Sequence, residues 1–143
     1  MARERSSSFS VSRSAGSRRG AAWGQVARCV AGDAEQTVQA AAVDYVVGRA
    51  RYTDNPHGCI ISEKEGFLKL IFRREDPTLL GVHAIEELVS ELVHIGLIAM
   101  NADCDATVFG ELSFNVQTLG ALYQDATWRL VNERCRTVAK AIG

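Results

Sequence analysis

FLKLIFRREDPTLLGVHAI, residues 67–85, is the stretch on which the fold turns. In Phe67 to Arg73, Leu68, Leu70 and Phe72 fall on one face and Lys69 and Arg73 on the other, the period of two expected of a half-buried strand. Asp76-Pro77 is turn chemistry, and Leu79 to Ile85 returns as a second strand. Working outward, Tyr45 to Tyr52 (YVVGRARY) reads as a strand weakened at its centre by Gly48. Asp54-Asn55-Pro56-His57-Gly58 reads as a turn, and Cys59-Ile60-Ile61 as a short strand. Short strands separated by turns predict an antiparallel meander of about four strands.

On the far side of this hairpin the period changes. Glu86 to Met100 (EELVSELVHIGLIAM) places Leu88, Leu92, Ile95 and Ala99 on one helical stripe, with Val89, Val93 and Met100 on its neighbour. Glu86 and Glu87 suit the positive end of a helix dipole. The second half is apolar almost all round, so it needs cover on more than one side. One side can pack on the sheet, and a partner chain is a natural cover for the other. Residues 102–117 form a polar joint around Val108-Phe109 and Leu112. From Thr118 a long helix is expected, carrying Leu119, Leu122, Tyr123, Ala126, Leu130, Cys135 and Val138, with Arg134, Arg136 and Lys140 near its negative end. Upstream, Asp33 is expected to cap a helix over 34–42 with Gln36 as its capping-box partner. The class is α+β: a meander flanked by helices.

The chain of 143 residues is one domain of ordinary size, 47% hydrophobic and 23% charged, with net charge −1. Nothing in that balance argues for nucleic acid or an anionic membrane, and no apolar run reaches the ~18 residues of a membrane span. Residues 1–28 differ in kind: Ser6, Ser7, Ser8, Ser10, Ser12, Ser14 and Ser17 alternate with arginines and glycines. Little there can be buried, so 1–28 is expected to be a disordered, protease-sensitive Ser/Arg-rich leader and 29–143 the folded domain. Arg18-Arg19 has no apolar stretch behind it to make a targeting signal. Cys29, Cys59, Cys104 and Cys135 are far apart, form no CxxC pair, and read as reduced thiols of a cytoplasmic protein.

The constellations that carry chemistry are missing. His57, His83 and His94 stand in no metal-ligand pattern, and His83 and His94 read as core or interface histidines. Glu63/Glu65, Glu75/Asp76 and Glu86/Glu87 flank turns or open a helix and read as solvated or capping charges. Gly16, Gly20 and Gly24 follow no strand, and neither G-x-G-x-x-G, a phosphate-binding G-x-x-x-x-G-K-[ST] nor G-x-S-x-G occurs. The expected site list is therefore empty for catalysis, cofactors and metals. A small α+β enzyme pairing one cysteine with a histidine is the remaining catalytic alternative.

The stretch from about Val30 to Tyr123 nevertheless resembles the C-terminal dimerisation domain of the pyridine nucleotide-disulfide oxidoreductases. YVVGRARY is similar to that domain's first strand. FLKLIFRREDPTLLGVHAI is similar to its signature hairpin, and SELVHIGLIAMN (Ser90 to Asn101) to the helix that follows. The run Glu91-Leu92-Val93-His94-Ile95-Gly96 is the version seen in the soluble NAD(P)+ transhydrogenase branch. The resemblance implies a homodimer built through this domain, with Leu92, Val93, Ile95, Leu97, Ile98 and Met100 at the interface. It also implies that FAD and NAD(P) sites belong to domains this chain does not carry, so that the chain is a fragment, inactive alone and without cofactor. The alternative is a stand-alone module that pairs with a full-length flavoenzyme. In the family a short segment reaches the partner's flavin site, and Phe114, Asn115 and Thr118 match its transhydrogenase version. The disulfide-reducing branch has a catalytic His at the position of Val116 and a Glu at that of Ala121; neither residue here exchanges a proton. Gln117 stands where both branches have proline, and Glu86 where members often have glycine.

Overall fold

The computed structural model of the chain describes residues 9–14, 26–61, 65–85, 89–115 and 117–142, with side chains described for 28–61, 65–85, 89–115 and 117–132. Five antiparallel strands form one sheet: β1 (Phe9–Ser14), β2 (Val26–Gly32), β3 (Tyr45–Arg51), β4 (Phe67–Arg73) and β5 (Leu79–Ile85), in the order β1-β2-β5-β4-β3. The expected meander is β3-β4-β5. Sheet and helices make an α+β fold.

Two strands lie in or across the stretch read as a leader. β1 pairs with β2 along its whole length, and β2 pairs with β5 from Arg28↔Ile85 to Gly32↔Gly81. The boundary at 28/29 therefore falls inside a strand. The sequence hid β2 because its core-facing residues among the described side chains are the small Cys29 and Ala31, both fully buried, which leave no strong apolar alternation. Residues 1–8 and 15–25 lie outside the described residues.

The remaining differences have local causes. Cys59-Ile60-Ile61 is no strand: α2 (Pro56–Ile60) runs into it and Ile61 is its C-cap, because the Asn55 side chain caps the helix start and Pro56 occupies its first turn. α1 is Glu35–Ala40, with Ala34 at its N-cap and no side-chain cap. Asp33 is held instead by the sheet, its N–H bonding Leu80 O at 2.9 Å. Helix α3 runs Val89–Asn101, and the expected opening residues Glu86 and Glu87 lie outside the described residues. The joint at 102–117 contains α4 (Ala106–Glu111), capped by Asp105, and α5 (Ala121–Ile142) begins three residues after Thr118.

The core lies between one sheet face and the helices. Register builds it in rows: Cys29, Ala84, Leu68 and Ala50 face one another across four strands, and Ala31, Val82, Leu70 and Gly48 form the next row. α3 lies on β2 and β5, and α5 on β3 and β4. The small residues at the row ends let the helices come close. At Gly48 a Cβ would overlap the carbonyl of Ala126, so the glycine that weakens the strand locally is what admits α5. The opposite sheet face carries α1, whose Glu35 meets Lys69 at 3.0 Å and Arg49 at 3.8 Å.

Candidate functional site

Helix α3 divides its residues sharply. Val89, Leu92, Val93, Gly96 and Ala99 are buried in the chain's own core. Leu92 and Val93, expected at a dimer interface, are thus occupied within the monomer. Ile95, Leu97 and Met100 are half-buried and packed against the core. Ile98 is 70% exposed, the most exposed large hydrophobic among the described residues. It shares the outer stripe with His94 and Asn101, also exposed. The sequence put six residues in one set; the structure brings them onto one helix but points them in different directions.

The inner face of α3 is locked to α5. The Tyr123 hydroxyl donates to Leu92 O at 2.6 Å and accepts from Gly96 N at 3.0 Å, so it bridges two backbone groups one helical turn apart. A Cβ at residue 96 would overlap Val82 and crowd that hydroxyl. Burial pushes the Tyr123 phenol well above its ordinary value, so it stays a neutral donor. On α5, Leu122, Tyr123, Ala126 and Leu130 are buried, whereas Trp128 is 52% and Val131 39% exposed. The sequence reading followed the inner stripe and passed over these two; their spacing of three, off that stripe, was the available signal.

The segment read as reaching a flavin forms a tight turn between α4 and α5. Phe114 is half-buried against the core, and Asn115 and Gln117 are exposed. Thr118 donates its hydroxyl to Asn115 O at 2.9 Å, closing the turn. Gln117 has φ of 68°, a left-handed conformation that proline, fixed near −65°, cannot adopt. Val116 lies outside the described residues. From below, the buried Asn55 donates its amide to Thr118 O at 3.3 Å while its oxygen accepts from His57 N and Gly58 N. Sequence reading took Asn55 for a turn residue and missed this link, which only the tertiary fold creates.

His83 is buried on the α1 side of the sheet with Nε2 3.2 Å from Asp33 O, and desolvation lowers its pKa. Among the described residues no three His, Cys, Asp or Glu side chains come together to hold a metal. Cys29 is buried, and Cys59 and Cys104 are free thiols away from any histidine hydrogen bond among the described contacts.

An antiparallel sheet is thus backed by α3 and α5, and each helix leaves large hydrophobics exposed: Ile98 on α3, and Trp128 and Val131 on α5. The family described as "Pyridine nucleotide-disulphide oxidoreductase, dimerisation domain" matches residues 24–122. The chain belongs to that family. Members of this dimerisation-domain family make oligomers, and the enzymes that contain them are flavin- and pyridine nucleotide-dependent oxidoreductases. Soluble pyridine nucleotide transhydrogenases are similar to it: that of Azotobacter vinelandii is 36% identical and that of Marinobacter nauticus 34%, each over 71% of this chain and 22% of the relative. The dimerisation domain thus spans about a fifth of the length of the relatives it matches. Its fold is shared with LpdA from Mycobacterium tuberculosis (TM-score 0.68, 17% identity, 73% of this chain and 23% of that one). It is shared also with the HOCl-induced flavoprotein disulfide reductase RclA from Escherichia coli in its Cu(II) complex (TM-score 0.69, 16% identity, 73% and 24%). The family match begins at residue 24, ahead of β2, in agreement with a strand that crosses the expected boundary. No helix among the described residues is long and apolar enough to cross a membrane.

Proposed function

We propose that this dimerisation domain forms a homodimer of the soluble transhydrogenase type and, in a full-length enzyme, holds two FAD sites in register for hydride exchange between NADPH and NAD+. The observation that carries the reading is the exposed Ile98 in the last turns of α3, the helix whose run Glu91 to Gly96 resembles the transhydrogenase version. Leu97 and Met100 flank it, and Trp128 and Val131 on α5 offer a second apolar surface. The paired unit begins at or before Val26 and acts in the cytoplasm, a reading supported by relatives whose names call them soluble.

In this reading Phe114, Asn115 and Thr118 form the part that faces the partner's flavin. Phe114 packs inward, so Asn115 is the residue presented and Phe114 and Thr118 hold it. Val116 and Ala121 supply no proton, so the turn shapes and shields a flavin site without acid–base work. The chain has no dinucleotide fingerprint of its own and binds neither FAD nor NAD(P) alone.

The test is to mix the purified chain with the full-length Azotobacter vinelandii enzyme. Pairing that perturbs the flavin emission supports the reading. Stoichiometric flavin retained by the chain alone after dialysis, or no pairing with itself or with the full-length enzyme at tens of micromolar, overturns it.

A further inference from the structure

Asn55 is a polar side chain buried to 1% exposure at the corner between β3 and α2, far in sequence from the turn it touches. Its amide is used at both ends. The oxygen accepts from His57 N at 2.9 Å and Gly58 N at 3.4 Å, capping α2, and the nitrogen donates to Thr118 O at 3.3 Å. The two ends of an asparagine amide do opposite jobs, so no residue with only acceptors can replace it. Its own position is fixed as well: Asn55 N bonds Tyr52 O at 3.1 Å, and Tyr52 is fully buried.

The turn needs such a fixed point. Gln117 is in the left-handed region, which a non-glycine residue holds only when its surroundings impose it. Phe114 on one side packs 3.2 Å from where a Cβ on Gly120 would lie, and Leu119 on the other is buried. Between these clamps, among the described contacts, Asn115 is tied through Thr118, whose hydroxyl donates to Asn115 O and whose carbonyl accepts from Asn55 Nδ2 at 3.3 Å and from Ala121 N at 3.4 Å.

We infer that Asn55 is a positioning residue: it sets the shape of the turn carrying Asn115 and Gln117 by holding the Thr118 carbonyl. This rests on the flavin-facing reading of that turn only for its consequence, since the positioning itself is a property of the chain alone. Asn55→Asp separates the two jobs. A carboxylate still accepts from His57 N and Gly58 N, but it turns an oxygen toward the Thr118 carbonyl and repels it.

Residue-resolved amide exchange and backbone chemical shifts on the full chain test the positioning. Asn55→Asp is expected to raise exchange at Ala121 at least tenfold and shift the resonances of Asn115, Gln117 and Thr118, with His57 and Gly58 still protected. A folded variant with an unchanged turn overturns the inference. Should the variant not fold, the wild-type chain decides: one Asn55 side-chain amide proton must exchange slowly and show a through-hydrogen-bond coupling to the Thr118 carbonyl carbon, and its absence overturns the inference. A second arm mixes each chain with the full-length Azotobacter vinelandii enzyme. If wild type perturbs the flavin emission and Asn55→Asp pairs equally but does not, the turn acts on the flavin through Asn55. If wild type pairs without perturbing the flavin while the exchange result holds, the flavin-facing reading fails and the positioning stands.

Discussion

At residue 42 the backbone asks for something the sequence does not supply. Helix α1 ends with Val43 N bonding Val38 O and Ala42 N bonding Gln39 O, the paired bonds of a left-handed helix stop, and Ala42 has φ of 52°. The same pattern closes α3, where Cys104 N bonds Ala99 O and Asp103 has φ of 53°. Neither stop carries the glycine that marks one in a sequence, so the ends, expected at 42 and Met100 and found at Ala40 and Asn101, were legible from the apolar pattern but their left-handed geometry was not. Ala42 is exposed, so Ala42→Gly relieves the Cβ strain at little other cost and is expected to stabilise the fold by about 1 kcal/mol in urea denaturation; a loss of stability would contradict the assigned backbone. His83 yields a pH dependence. Burial first, then the nearby Lys69 and Arg28, lower its pKa below 6.5, while the Asp33 carbonyl and Glu35 oppose them. As pH falls below about 6.5 the unfolded chain takes up a proton that the folded chain still refuses, so stability declines with falling pH and levels off below the folded value. Urea midpoints between pH 7.5 and 5.5 should slope for wild type and flatten for His83→Gln; equal slopes would remove His83 as the cause.

Among elements, the β4–β5 hairpin was legible because β4 presents Leu68, Leu70 and Phe72 at period two and Asp76-Pro77 marks the turn before the apolar run of β5. The elements that were misread depend on signals of another kind. Among its described side chains β2 presents Cys29 and Ala31 to the core, and α2 is set by the cap of Asn55 rather than by the apolar Cys-Ile-Ile that follows. The packing of α3 on α5 was half legible: the stripes were visible, but not the Tyr123 hydroxyl seated between Leu92 O and Gly96 N. That hydroxyl also explains Gly96, a glycine inside a helix that would otherwise cost stability relative to alanine. Tyr123→Phe keeps the ring against Phe109, 4.9 Å away between centroids, and deletes only the bridge. It is expected to cost about 1–3 kcal/mol, because two buried backbone groups lose a partner. Thermal unfolding measures this, and an unchanged midpoint would mean the helix satisfies both groups unaided.

For the whole molecule, the part of the site that was legible is its helix, not its surface. The sequence identified α3 as apolar on too many sides, and the structure accounts for most of that excess by burying Leu92 and Val93 in the chain's own core. What remains outside is narrower: Ile98 at 70% exposure with Leu97 beside it, and Trp128 with Val131 on α5. Which apolar side faces outward depends on how the helix is rotated over β2 and β5, and that rotation is set by tertiary contacts such as Gly96 against Val82. The same placement separates folding from association. Ile98→Asp puts a charge on an exposed position of the monomer, where surface substitutions usually change stability by less than about 0.5 kcal/mol. In a paired molecule the same charge would be buried unpaired, at a cost of several kcal/mol. Sedimentation at tens of micromolar should therefore show a dimer for wild type and a folded monomer for Ile98→Asp, with an unfolding midpoint no longer dependent on concentration. Leu97→Asp, half-buried in the monomer, should dissociate the dimer and also lower the monomer's stability. A wild-type dimer that both variants leave intact would move the interface off α3, and Trp128→Asp would then ask whether the apolar face of α5 carries it instead.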